Sequence, residues 1–248
     1  MHSWIGPWNE ANFLYVDQSR FTELCKDPES SCVLYDIGLG IAANSLAAVE
    51  RYRSEGCQGK LTLISFENDI DGLVSAIEHR ADFDFVARNV PVLEMLLKDR
   101  VWREGAIEWR LLEGDFRETL KQAAAPDIVF WDFYDPKSCP DLWTPAMFRT
   151  FREHCTRPAR IFTYAASTPA RLAMVLSGFY VGYGRKTPVK ADTSVAATEP
   201  SMLERPLGEE WIAKLRRSTK PWPYGEEPSP LESIIERVRQ SPQFLKPI

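Results

Sequence analysis

Long apolar runs are missing from this sequence: none approaches the roughly 20 residues that a membrane-spanning helix needs. Metal-ligand spacing is missing too. The three histidines, His2, His79 and His154, are scattered, and the five cysteines, Cys25, Cys32, Cys57, Cys139 and Cys155, include no pair separated by two residues. Free, reduced thiols and no metal are expected. Met1 to Asn12 holds no basic segment followed by an apolar stretch, so no secretory signal is predicted and the expected compartment is the cytoplasm. There is no excess of positive charge: the net formal charge of -5 argues against general nucleic-acid binding. It leaves room for local basic groups, of which two stand out, Arg185, Lys186 and Lys190, and then Lys214, Arg216, Arg217 and Lys220. No internal repeat or low-complexity tract breaks the chain.

What is present is an ordinary globular balance, with 44% hydrophobic and 26% charged residues in 248, enough for one sizeable core. Short β-like runs at 32–37, 61–67, 107–112, 127–132 and 160–165 alternate with helical patterns at 44–53, 71–79, 92–98, 116–124, 145–155 and 169–176. Several of the runs lack polar alternation, as strands covered on both faces do. The pattern predicts a doubly wound, Rossmann-like α/β sheet, mostly parallel. Two β-like runs at 178–184 and 193–197 have no helix between them, so an antiparallel strand in a C-terminal hairpin is expected. Residues 1–198 then form the main domain. The proline-rich stretch 199–248 is expected to pack on it as an extension, with amphipathic segments at 209–217 and 231–239.

The most informative segment is VLYDIGLGIAANSL, residues 33–46. A hydrophobic strand runs through Asp36 into Gly38 and Gly40, and a helix opens near Asn44. Glycines at such a turn let the backbone bend sharply and approach a ligand. Ala43 stands where a dinucleotide fingerprint has its third glycine. Glu67 closes the second strand, where an acid can accept hydrogen bonds from both ribose hydroxyls. Asp115 and Phe116 follow the third run, placed to meet an adenine amine and its face. An acid such as Asp36 beside the turn suits an adenosyl amino acid with its ammonium better than a pyrophosphate.

The fourth run leads into VFWDFYDPKSCPDLWTPAMF, residues 129–148. Carboxylates at Asp132 and Asp135 among aromatic rings suit an amine acceptor. An alkyl amine has a pKa near ~10, and only its neutral form carries the attacking lone pair. A carboxylate can orient such an amine and receive its proton. Trp131, Phe133, Tyr134 and Trp143 are candidates for stacking on an exposed base, with core packing the competing reading for Trp131 and Phe133.

HSWIGPWNEANFLYVDQSRF, DIGLGIAAN, WDFYDPKSCPDLWTPAMF, ARIFTYAASTPARLAMVLSGFYVGYGRK and ADTSVAAT together cover almost the whole length. Through them the chain resembles the methyltransferase domain of the tRNA 5-methylaminomethyl-2-thiouridine biosynthesis proteins and their stand-alone relatives. The resemblance implies a methyltransferase fold with an antiparallel seventh strand, S-adenosyl-L-methionine as cofactor, and methyl transfer to the aminomethyl group of a tRNA wobble uridine. By position it implies Asp36, Gly38, Gly40 and Asn44 in the cofactor loop, Glu67 as the ribose acid and Asp132 facing the acceptor amine; Tyr134 and Asp135, next in the segment, join Asp132 as candidate catalytic residues by their own chemistry. Ala42 stands where that family often has glycine, Asp135 where a small residue is usual, and Cys139 where asparagine is usual. No stretch corresponds to the FAD-dependent oxidase domain of some relatives, so an oxidative step would fall to a separate protein.

Two other readings stay open. The WDFYDP segment also resembles the paired acids of polyamine aminopropyltransferases, which would make the acceptor a small amine or polyamine. A scaffold that has lost its cofactor is the third, and a pocket filled by side chains would mark it.

Overall fold

The structure is a computed structural model that describes residues 6–134, 136, 138–186 and 192–245. Its contacts divide the chain into two compact units, Met1–Asp132 and Phe133–Ile248. Asp135 and Lys190 lie outside the described residues.

In the first unit, strands β1 (Ser31–Ile37), β2 (Lys60–Glu67), β4 (Ile107–Glu113) and β5 (Ile128–Trp131) are parallel, in the order β4-β2-β1-β5. The helix Ala43–Ser54 carries the chain from β1 to β2, and β5 pairs on the opposite side of β1. The strand order therefore reverses at β1. That reversal opens a crevice at the carboxyl ends of the strands, where doubly wound sheets take their ligands. The continuous apolar character of β1 and β5 has its reason here: nearly every residue in both is buried.

One strand was not foreseen. β3 (Val101–Glu104) folds back antiparallel on β4. Its signal lies in VWRE-GA-IEWR, two alternating runs about a two-residue turn with Gly105 at φ 56°. Trp102 is buried against Trp109, and Arg103 reaches its cross-strand neighbour Glu108 at 2.8 Å. The N-terminal stretch was also without a predicted element. It winds as helix from Pro7 to Ser19, with Ala11–Val16 in π-helical turns that bury Ala11, Leu14, Tyr15 and Val16.

Ala42 enters the Ala43–Ser54 helix at φ 64° and ψ 21°, left-handed backbone that costs an L residue about 1–2 kcal/mol. Its methyl is buried, which offsets part of that cost. Ala42→Gly should therefore shift unfolding free energy by less than ~1 kcal/mol. Ala42→Val adds β-branching to the same backbone and two carbons to a filled core, and should cost roughly 2–4 kcal/mol. Urea unfolding of both variants measures this. Equal effects of the two would mean that the backbone there relaxes freely.

The second unit holds β6 (Arg160–Thr163), β7 (Tyr180–Tyr183) and β8 (Ser194–Ala197), with β8 antiparallel to both neighbours. The expected hairpin is thus present. The helices Pro145–His154 and Thr168–Val175 begin where the sequence places a hydroxyl before a proline: Thr144 accepts from Met147 N–H and Ser167 from Ala170 N–H. Beyond residue 199, the helices Glu209–Leu215 and Leu231–Arg239 bury Trp211, Ile212 and Leu215, and Ile234, Ile235 and Val238. Gln243 adds hydrogen bonds to both backbone groups of Val181 and to the carbonyl of Leu207.

Among the described residues, no helix is long and apolar enough to cross a membrane, and no group of three His, Cys, Asp or Glu residues gathers as a metal site.

Candidate active site

The carboxyl ends of β2, β1 and β5 lie side by side, with Ile37 in register with both Phe66 and Trp131. After Ile37 the chain turns. Gly38 and Leu39 donate their N–H groups to the Phe66 carbonyl, at 3.0 and 3.3 Å. Gly38 has φ 89° and Gly40 φ 51°, values that side chains rarely permit, and a Cβ built on Gly40 would point into open space. The turn is bare on that side, as a ligand cradle requires.

Glu67 braces the turn. Its Oε2 accepts from Gly40 N–H at 2.9 Å and its Oε1 from Asn68 N–H at 2.8 Å. Asp132, just past β5, is anchored by its own N–H to the Ile37 carbonyl. Its carboxylate accepts from Tyr15 Oη at 2.6 Å on Oδ1 and from Asn44 Nδ2 at 2.8 Å on Oδ2. Tyr15 was not foreseen as a site residue. It sits in the π-helical turns, wholly buried, with its ring 5.3 Å from that of Phe130. Its only sequence signal was its place in an N-terminal segment shared with relatives.

Asp36 lies beneath the turn and is fully buried. Ser45 Oγ donates to it, Asn44 Nδ2 approaches at 3.4 Å, and Ser45, Ser65 and Trp109 Nε1 continue the chain of hydrogen bonds at 2.9 Å each. Burial pushes the Asp36 carboxyl up to about 8, helped by the nearby Asp132 and against the hydrogen bonds from Ser45 and Asn44. Asn44 thus links two carboxyls, one buried and one at the strand end.

Asp115 caps the short helix Phe116–Thr119 through Arg117 N–H, and it also binds the Arg117 guanidinium. That hydrogen bonding holds its carboxyl below the usual range. The Phe116 ring is buried, edge-on to Phe66 at 5.0 Å and Trp131 at 5.6 Å. Asp36, Gly38, Gly40, Asn44, Glu67, Asp115, Phe116 and Asp132 all belong to the first unit.

In the second unit, Tyr134 is 75% exposed. The stacking role that the sequence allowed to Trp131 and Trp143 is not open to them: both indoles are wholly buried, Trp131 against Phe116 and Trp143 against Phe148 and Tyr164. Apolar rings beside a carboxylate in sequence are here core residues, Trp131 of the first unit and Trp143 of the second.

The donor set at the strand ends fits an adenosyl sulfonium. A bare glycine turn and a carboxylate suited to a ribose diol stand beside the Asp132 carboxylate, and that charge would repel a pyrophosphate but suits a cationic amino-acid ligand; Asp36, buried and protonated at neutral pH, adds no charge.

Comparisons with known proteins bear on the class of the chain. A family model described as S-adenosyl-L-methionine-dependent methyltransferase matches residues 77–199. The tRNA 5-methylaminomethyl-2-thiouridine biosynthesis bifunctional protein MnmC of Delftia acidovorans is 22% identical over 82% of this chain and 33% of its own length. Its namesake from Polaromonas naphthalenivorans is 27% identical over 68% of this chain and 28% of its own. The chain thus spans about a third of the length of these curated relatives. The crystal structure of MnmC2 from Aquifex aeolicus superposes with a TM-score of 0.71 at 23% identity, covering 96% of this chain and 77% of that one. Over residues 77–199 the chain matches the S-adenosyl-L-methionine-dependent methyltransferase class, and it has the α/β fold of the Aquifex structure. Within the class, its methyltransferase domain is MnmC-like.

Proposed function

We propose that this methyltransferase acts on an amine, the 5-aminomethyl group of a tRNA wobble uridine. The observation that carries the reading is the Asp132 carboxylate, held by Tyr15 and Asn44 at the strand end next to the Gly38–Gly40 turn. The printed names of the curated relatives supply the tRNA part of the proposal.

S-adenosyl-L-methionine, when bound, supplies an electrophilic methyl group. Glu67 receives the ribose hydroxyls, Gly38 and Gly40 let the backbone come close, and Asp115 with Phe116 lies at the adenine end. Asn44 positions Asp132, and Asp36 supports Asn44 from below. Asp132 accepts a hydrogen bond from the acceptor amine, which points the nitrogen lone pair away from the carboxylate and gives the departing proton a destination. Positioning of this kind can supply much of the rate. Tyr134 and Asp135 are assigned to the acceptor side. A separate oxidase is proposed to supply the aminomethyl intermediate. Residues 1–198 are taken as the catalytic body, with 199–248 as its extension.

The test is calorimetric titration with S-adenosylhomocysteine, followed by methyl transfer to tRNA bearing unmethylated aminomethyluridine. Binding followed by transfer is the expected result. Binding with transfer only to small amines or polyamines would replace the substrate, and no binding would remove the cofactor site.

A further inference from the structure

Lys214, from the second basic group of the sequence, is brought to the end of β7, two residues before Arg185 of the first. The Tyr183 ring has Arg171 Cζ at 4.9 Å, Lys214 Nζ at 5.2 Å and Arg205 Cζ at 5.4 Å from its centroid. Arg205 reaches this ring because its carbonyl accepts from Tyr183 N–H. Lys214 projects from the helix Glu209–Leu215, and Arg185 and Lys186 continue the chain two and three residues beyond the ring. All of these residues belong to the second unit.

Three cations around one ring repel one another, and one carboxylate, Asp192, acts on two of them, Arg205 and Arg171. Arg205 pairs with Asp192 at 2.8 Å. Arg171, by contrast, is buried and satisfied by neutral acceptors: Ser194 Oγ and the carbonyls of Asp192 and Thr193. One carboxylate shared between two arginines leaves the cluster with a net positive charge, which favours the approach of an anion. The Tyr183 hydroxyl oxygen is buried and has no hydrogen-bond partner among the described residues. A donor left idle beside three cations calls for an anionic acceptor. Lys214, Arg205 and Lys186 are exposed, so the rim of the cluster faces solvent.

We propose that Tyr183, Arg171, Arg205 and Lys214 form a phosphate-binding site that takes a backbone phosphodiester of the RNA substrate. The proposal rests on the tRNA reading for the source of the phosphate. Lys186, exposed three residues beyond the ring, favours a chain of phosphates over a single ion. The site also explains how a protein of net charge -5 holds a polyanion: the contact is local.

The experiment measures tRNA binding to the full chain across a salt series, for wild type, Lys214→Gln and Tyr183→Phe, with S-adenosylhomocysteine binding and thermal melting as controls. Lys214→Gln should weaken tRNA binding several-fold near 0.1 M salt and lower the slope of log K against log salt by about 1. Tyr183→Phe should weaken binding several-fold with the slope kept. Both should bind S-adenosylhomocysteine as wild type does. If wild type binds tRNA and both variants match it, the phosphate site is wrong while the tRNA reading stands. If wild type binds inorganic phosphate at this site but no tRNA, the RNA assignment and the tRNA reading fall together.

Discussion

Asp132→Asn should lower the single-turnover rate of methyl transfer by about 10²- to 10⁴-fold, the range expected for loss of a positioned general base. S-adenosylhomocysteine affinity should change by no more than about 3-fold. Asparagine fills the same volume and still offers an oxygen to Tyr15, and a flip of the Asn44 amide lets that residue accept from the new amide group, so the fold should hold. Asp132→Ala should abolish turnover with the same small effect on cofactor binding, but it strands the buried Tyr15 hydroxyl and should cost about 1–3 kcal/mol of stability. Tyr15→Phe separates holding from chemistry: it keeps the carboxylate and removes one of its anchors, so it should give a smaller rate loss than Asp132→Asn. Cofactor affinity that collapses in Asp132→Asn, with the rate at saturation preserved, would move Asp132 into the cofactor site.

The second large effect concerns Asp36 and pH. Its carboxyl has a folded-state pKa of about 8 against an ordinary value of 3.8 in the unfolded chain, raised chiefly by burial. Below both values the proton is bound in either state, and the protein carries no penalty. As pH rises through that window the unfolded chain gives up its proton while the folded chain must keep it. Stability from this residue is therefore lost progressively between pH ~4 and ~8, at a slope approaching about 1.4 kcal/mol per pH unit. Asp36→Asn removes the titration and keeps a polar group able to meet Ser45 and Asn44. The stability of Asp36→Asn relative to wild type should rise by several kcal/mol between pH 5 and pH 8, read by urea unfolding at both. A difference that stays constant across those two pH values would mean that Asp36 titrates near its ordinary value in the fold.

The same residue illustrates how much of the site could be read in one dimension. Asp36, Gly38 and Gly40 were legible because a hydrophobic run ending in an acid and two glycines has few structural uses. Their depths were not: Asp36 points under the turn into a network with Ser45, Ser65 and Trp109, three residues that no local pattern ties to it. The stacking reading of Trp131 and Trp143 failed for a related reason, and for Trp131 the competing core reading holds. Burial depends on which layer covers a ring, and the WDFYDP segment looks alike whether its rings face solvent or core.

The alternation of runs and helical patterns determined the doubly wound class, the strand ends and the place of the cofactor turn, because hydrophobic period and glycine backbone are local properties. The tertiary structure alone decided what meets at those ends. Tyr15 lies 117 positions from Asp132, and Lys214 lies on a helix well beyond the strand that carries Tyr183. Such contacts cost the chain its closure entropy and are repaid only by packing, so no local stretch of sequence records them.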